Sequence, residues 1–326
     1  MACPTLADVL EAQRRIAGRV LRTPLVPAWA LGAGPGNAAR AEGDRGGVGL
    51  CLKLESLQVT GSFKPRGAFS HVLRHRDRCR AGLVTASSGN HGQAVAYAAR
   101  SLGVPAVVVV PGDVVPAKEE AIRAWGAEVV RCGRTTAERI AAALEISRTR
   151  GLHYVPPFDD FDVVAGQGTV GLEILNQFPS VRRVAVPCGG GGLVSGVAVA
   201  VKNLRPDVQV VAVEPEGASC FYASWKAGTR VRLERVDTVA DGLRAVEPGE
   251  VTWECASRYV DEFVTVSDGE IVDAVVRLFR EAKVVAEPSG AAAVAYALRH
   301  PWEGTVAVVS GGNLDPGQFL RWLGGS

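Results

Sequence analysis

Pro187-Cys188-Gly189-Gly190-Gly191-Gly192-Leu193-Val194-Ser195-Gly196 joins the β-rich run Val184 to Pro187 to an apolar helical pattern through four consecutive glycines. Strand, glycine turn and helix in that order make an anion site. Successive N–H groups without Cβ atoms can wrap a phosphate at a helix N-terminus, where the dipole also favours negative charge. A flexible hinge is the plainer alternative, but it accounts for neither the strand before nor the helix after. Neither Gly-x-x-x-x-Gly-Lys-Ser/Thr nor Gly-x-Gly-x-x-Gly can be laid over the segment, since from Gly190 the third glycine falls on Ser195. That weighs against a nucleoside triphosphate or dinucleotide and toward a smaller phosphate-bearing cofactor.

Outward from this turn the same alternation continues. Short apolar β-rich runs lie at Leu50 to Glu55, Leu83 to Ala86, Ala106 to Val110, Glu128 to Arg131 and His153 to Val155, then at Val208 to Val213, Phe263 to Val266 and Thr305 to Val309. Helical stretches separate them, among them Ala94 to Arg100, Gly269 to Lys283 and Glu287 to His300. Continuous apolar strands between amphipathic helices predict the α/β class, with mostly parallel sheets buried on both faces. The chain opens with a helix from a Thr5/Asp8 capping box through Val20, ended by Thr23-Pro24. Residues 32–49, rich in Gly, Ala and charge, read as a surface loop.

A length of 326 residues suits about two domains and two such sheets. At 47% hydrophobic and 21% charged residues the whole chain is expected to fold. The 36 basic and 34 acidic residues leave a net charge of +2, so nucleic acid and anionic membrane are disfavoured as partners. Apolar runs such as Pro105 to Pro111 are far short of the ~20 residues that cross a bilayer. No signal-peptide pattern opens the chain, and a cytoplasmic location is expected. Seven cysteines, odd in number and never in Cys-x-x-Cys, signal neither a disulfide framework nor a zinc site and are expected to be reduced. Because the sequence stops at Ser326 just after its last strand and helix, no appended ligand-sensing domain and no end-product inhibition are expected.

Three further turns carry candidate chemistry. In Ser62-Phe63-Lys64-Pro65-Arg66-Gly67-Ala68, Pro65 is suited to the first helical position, which puts Lys64 at the cap. A lysine desolvated there becomes a nucleophile toward carbonyls, whereas most lysines are simply solvated. Thr85-Ala86-Ser87-Ser88-Gly89-Asn90-His91-Gly92-Gln93 offers hydroxyls, an amide and N–H groups to a carboxylate, or an ordinary cap by Ser88 or Asn90. His91 alone reads as a packing or capping residue, and the other four histidines show no ligand spacing. Val308-Val309-Ser310-Gly311-Gly312-Asn313 is a buried strand ending where ligands bind in α/β sheets, or a sharp turn and nothing more.

Together, in this order and spacing, these four turns resemble the threonine dehydratase and serine racemase family across nearly the whole chain. Ala165-Gly166-Gln167-Gly168-Thr169, Val239-Ala240-Asp241-Gly242 and Glu287-Pro288-Ser289-Gly290 are similar to the family too. The resemblance implies a pyridoxal 5'-phosphate enzyme of fold type II, tryptophan synthase β-like, with two open twisted mostly parallel sheets flanked by helices. It implies a large domain of residues 1–67 plus 157–326, a smaller one of 68–156, and a homodimer. Lys64 would form the Schiff base, Gly189 to Gly192 with Leu193 would hold the phosphate, and Asn90 would bond the ring hydroxyl. Phe63 would pack on the ring, Ser310 would face its nitrogen, and Gly242 and Glu287 would complete the cofactor site. A neutral hydroxyl at the nitrogen weakens the electron sink and favours elimination over transamination.

The implied reaction converts an L-hydroxyamino acid, its carboxylate on Ser87, Ser88, Asn90 and His91, to a 2-oxo acid and ammonia. Racemisation comes second, because in the racemases of this family the serine matching Ser88 is the acid/base opposite the lysine. 3-Hydroxyaspartate dehydration is a further alternative with Arg134 and Arg139 as candidate cations, although a solvated face is the favoured reading of both. A β-replacing synthase fits the lysine context less well. A noncatalytic module binding the cofactor or an amino acid is disfavoured by the intact Lys64, Asn90 and Ser310. Some members bind a divalent metal; here Glu214 and Ala218 match, but Cys220 stands where the second acid is expected, so no metal is predicted there.

Overall fold

The computed structural model describes residues 2–31, 49–87, 89–301 and 303–324. Its chain order is α1 (Leu6–Ile16), β1 (Leu25–Pro27), β2 (Leu50–Leu54), α2 (Lys64–Arg74), β3 (Leu83–Ala86) and α3 (Asn90–Leu102). There follow β4 (Ala106–Val110), α4 (Pro116–Ala124), β5 (Glu128–Arg131), α5 (Thr136–Arg150), β6 (His153–Tyr154) and α6 (Phe161–Gln177). The rest comprises β7 (Arg183–Pro187), α7 (Gly192–Leu204), β8 (Gln209–Pro215), α8 (Cys220–Ala227), α9 (Glu250–Tyr259) and β9 (Glu262–Val266). Last come α10 (Asp268–Arg277), α11 (Pro288–Arg299), β10 (Thr305–Val309) and α12 (Pro316–Gly324).

These strands form a six-stranded sheet in the order β1-β2-β10-β7-β8-β9 and a four-stranded one in the order β5-β4-β3-β6. Every pairing is parallel except β1 with β2. The α/β expectation of two mostly parallel sheets therefore holds. Strands β4, β7 and β10 are buried at every residue, which is why they read as unbroken apolar runs. The glycines of Ala165 to Thr169 let three helices touch. A Cβ on Gly166 would lie 2.5 Å from the Arg66 carbonyl of α2, and one on Gly168 2.9 Å from the Gly196 carbonyl of α7.

Several expectations are corrected. The first helix keeps its Thr5/Asp8 capping box but stops at Ile16, short of Val20, with Gly18 at φ 73° turning the chain. Lys64 is the first helical residue rather than the cap, because Phe63 already has helical dihedrals and takes the capping place. The helix expected over Gly269 to Lys283 changes to a π-turn at Leu278–Ala282, and Lys283 closes it at φ 59°. Strand β1 went unread, being three residues ending in Pro27. Cys3 and Cys255 are joined as a disulfide with Cα atoms 5.2 Å apart, against the expectation of reduced cysteines. Folding brings the segment before α1 onto α9, a proximity that a separation of 252 residues hides from any spacing rule. The loop reading of residues 32–48 lies outside the described residues.

Candidate active site

Four helix starts converge on one cavity of about 260 Å³. Lys64 begins α2, Asn90 begins α3, Gly192 begins α7 and Glu287 caps α11. All four residues line it, as do Phe63, Ser87, His91, Gly189 to Leu193, Gly242 and Ser310. The structure thus gathers the four turns singled out in the sequence. Such a convergence of N-terminal dipoles favours anions, and a ligand with both a phosphate and a carboxylate uses two of them. Ser88 lies outside the described residues.

Among the described residues the Lys64 ammonium has no carboxylate partner. Its Nζ donates to the Pro157 carbonyl, at 2.7 Å, and sits 5.1 Å from the centre of the Phe63 ring. Desolvation by the walls around it pushes its pKa down to about 8. Other cations at the cavity are engaged: Lys118 is paired with Asp241, and Arg139 donates to Thr136 Oγ1 at 2.9 Å and the Arg134 carbonyl at 3.3 Å. Both arginines were expected on a solvated face. Arg134 is exposed, but Arg139 is half-buried and reaches the cavity wall, because α5 starts with its first turn against it.

An amide and carboxyl chain lines the same cavity. Asn313 Nδ2 donates to Asn90 Oδ1 at 2.7 Å, and Asn90 Nδ2 donates to Glu287 Oε1 at 2.5 Å. Burial first, and the nearby Asp241 second, push Glu287 up to about 8. Ser310 Oγ donates to the Ser289 carbonyl at 3.3 Å, and Ser289 Oγ accepts the Gly242 N–H at 2.9 Å. His91 is buried with its Nε2 3.1 Å from the Val155 carbonyl, and burial, helped by Lys64, pushes its pKa down to about 3. The imidazole is therefore neutral near pH 7, with Nε2–H given to a backbone carbonyl. Glu214 accepts the N–H groups of Phe221 and Tyr222 at 2.9 and 2.7 Å, so both its oxygens are occupied in holding the start of α8.

The glycine loop is shaped by its surroundings. A Cβ on Gly190 would fall 2.5 Å from the Phe158 ring, and one on Gly191, at φ 89°, 2.2 Å from Phe221 Cζ. Among the described residues, none accepts a hydrogen bond from the N–H groups of Gly189 to Leu193, which therefore remain for a ligand. Phe158 and Pro157 were missed in the sequence. Both follow β6, where only the fold brings them against the loop and the lysine.

A model of the family described as pyridoxal-phosphate dependent enzyme matches residues 16–311. The chain belongs to this family. An L-threonine ammonia-lyase of Thermotoga maritima is 42% identical over 97% of this chain and 77% of that protein. Among solved structures, a threonine deaminase from T.th. has a TM-score of 0.87 at 42% identity, covering 96% of this chain and 99% of the other. Maize serine racemase has a TM-score of 0.88 at 34% identity, over 98% and 96% of the two chains.

The cofactor of a pyridoxal-phosphate dependent enzyme fits what this cavity leaves unpaired. Free loop N–H groups at a helix start suit its phosphate, and an amine without a counter-ion suits its aldehyde. Gly191→Ala tests the grip directly, since a side chain at that φ costs ~1–2 kcal/mol before the clash with Phe221 is counted. Cofactor affinity measured by titrating the apoprotein is expected to fall by about tenfold or more. An unchanged affinity would show that the loop does not hold the phosphate.

Proposed function

We propose that this chain is a pyridoxal-phosphate-dependent ammonia-lyase that converts L-threonine or L-serine to the 2-oxo acid and ammonia. The carrying observation is Lys64, an amine with no carboxylate partner among the described residues, in a cavity that the glycine loop and the helix starts also line. The 42% identity to a threonine ammonia-lyase over nearly the full chain supports the reaction class.

When bound, the cofactor supplies an electron sink for bond cleavage at the substrate's α-carbon. Gly189 to Leu193 would hold its phosphate, Asn90, Gly242 and Glu287 would border its ring, Phe63 would pack against it, and the Ser310 hydroxyl would partner its ring nitrogen. Ser87, Ser88, Asn90 and His91 receive the substrate carboxylate, chiefly through backbone N–H groups at the start of α3. Lys64, with its pKa near 8, takes the α-proton onto Nζ. Glu287 is pushed up to about 8, so it keeps a proton at neutral pH and adds no negative charge beside the cofactor. The Ser88 hydroxyl is the acid/base for any accompanying racemisation.

Residues 68–156, which include the four-stranded sheet, form a smaller domain, and residues 1–67 with 157–326 a larger one. A cytoplasmic homodimer completes the reading. Among the described residues no helix is long and apolar enough to cross a membrane.

The test is 2-oxo acid release from L-threonine, L-serine and 3-hydroxyaspartate under one set of conditions. Rapid 2-oxobutyrate or pyruvate formation is expected. Release only from 3-hydroxyaspartate favours a 3-hydroxyaspartate dehydratase, for which Arg139 at the cavity wall is the supporting observation. No release from any of the three, in protein that carries its cofactor, removes the lyase assignment.

A further inference from the structure

Three of the chain's five histidines meet where the end of α2 faces β6 and the start of α6. The ring centres of His71, His75 and His153 lie 4.8, 5.1 and 5.6 Å apart in the pairs 71–75, 71–153 and 75–153. None lines the cavity, and none has a part in the lyase reaction. His71 and His75 stand one helical turn apart at the end of α2, a ligand spacing the sequence reading passed over. Asp160 and Asp162 come from the start of α6 and face them.

The pairings bring imidazole nitrogens and carboxylate oxygens together. His71 Nδ1 lies 2.9 Å from Asp160 Oδ1, which makes that nitrogen the donor and leaves the Nε2 lone pair pointing away. That Nε2 is 2.9 Å from the Nε2 of His153, so two imidazole nitrogens face each other. His75 Nε2 is 3.1 Å from Asp162 Oδ2. One ligand atom each from His71, His75 and Asp162 lies within 4.8 Å of the others, close enough for modest rotamer changes to bring them around one ion. The other Asp162 oxygen is held by Arg74 at 3.4 Å and Arg15 at 3.7 Å, leaving Oδ2 for the cluster. His71 and Asp162 are buried, while the His75 side chain is 27% exposed and gives an ion a way in.

We propose that His71, His75 and Asp162 form a site for a borderline-soft divalent transition metal of the zinc type. Asp160 orients His71, and His153 stands within reach as a fourth ligand. Imidazoles with one carboxylate match zinc, whereas magnesium and calcium require sites built mainly of oxygen. The ion has a structural role. It ties α2, which starts with Lys64, to α6 and to β6, whose following segment carries the Pro157 carbonyl that receives the Lys64 hydrogen bond. The site is separate from Glu214.

Tag-free holoenzyme stripped of metal by a chelator is titrated with Zn²⁺, and with Co²⁺ as a coloured probe. Expected are one ion per chain, a rise in melting temperature, and cobalt d–d bands without the intense thiolate charge-transfer absorption that binding to a free cysteine brings. His75→Gln, at a half-exposed helix end, is expected to weaken binding at least about tenfold while its metal-free melting temperature stays that of the parent. His71→Asn is the second variant, with the same expectation for affinity. Failure of the parent protein to bind Co²⁺ at 1:1 with a dissociation constant below about 100 μM overturns the site, as does unchanged affinity in both variants.

Discussion

Lys64→Ala is expected to lower turnover by on the order of 10³-fold or more and to remove the absorbance of lysine-linked cofactor. The reason lies in what else the cavity contains. Lys118 is paired with Asp241, and Arg139 is too basic to act as a neutral nucleophile, so no neighbouring amine can take over the role. The glycine loop is untouched by the substitution, and the variant is therefore expected to retain phosphate affinity while losing covalent attachment. Equilibrium binding of cofactor together with its visible spectrum separates the two. The pKa near 8 adds a direction: burial disfavours the ammonium, so the free amine is populated at lower pH than for a solvated lysine. Cofactor uptake by the apoprotein should rise with pH through about 8, not through the ordinary value of 10.5. Full activity in Lys64→Ala, or uptake that rises only near pH 10, would remove the central role given to this residue.

Much of the fold was legible because its strands are buried on both faces. Leu83–Ala86, Ala106–Val110 and Thr305–Val309 fall where the apolar runs placed them, and so does the edge strand Glu128–Arg131, whose two end residues are exposed. Leu25–Pro27 did not, since a three-residue strand with Pro24 before it and Pro27 at its end carries no periodicity. In the site, residues that combine local chemistry with a turn were readable: Lys64 before Pro65, the glycines before Leu193, Ser310 after a strand. What escaped depends on chain segments remote in sequence. Pro157 acts through its carbonyl, which every residue type has, and Phe158 is one of nine phenylalanines until folding sets it over Gly190. The His71 cluster takes two members from one helical turn, but His153, Asp160 and Asp162 arrive from β6 and α6.

The second large effect is expected at Arg66, two residues beyond the lysine. Its side chain is 1% exposed, and its guanidinium donates to both oxygens of Glu55 at 2.8 Å and to both oxygens of Glu173 at 2.7 and 2.9 Å. Lys53, fully buried, donates to the Thr23 carbonyl and to Gln177 at 2.7 and 2.9 Å and is also bonded to Glu173. Two cations thus balance two carboxylates inside the protein, and removing one cation strands a buried negative charge. Arg66→Met is expected to cost about 3–5 kcal/mol, visible as a fall in melting temperature of roughly 5–15 °C. Burial alone would raise the pKa of Glu55, but Arg66, with help from Lys53 and Thr23, holds it below the ordinary 4.5. A depressed carboxylate stabilises the fold above its unfolded-state value, and that contribution is lost as pH falls through the folded-state value. The melting temperature of the parent should therefore drop as pH falls below about 4.5, and this acid dependence should be weaker in Arg66→Met. Arg66→Lys is expected to rescue only part, because an ammonium cannot span both carboxylates as the planar guanidinium does. Since Arg66 follows directly on Lys64-Pro65, kcat should fall further than the unfolded fraction explains. If Arg66→Met melts and turns over like the parent, the network is merely tolerated and the lysine is positioned by the Phe63 and Pro157 contacts alone.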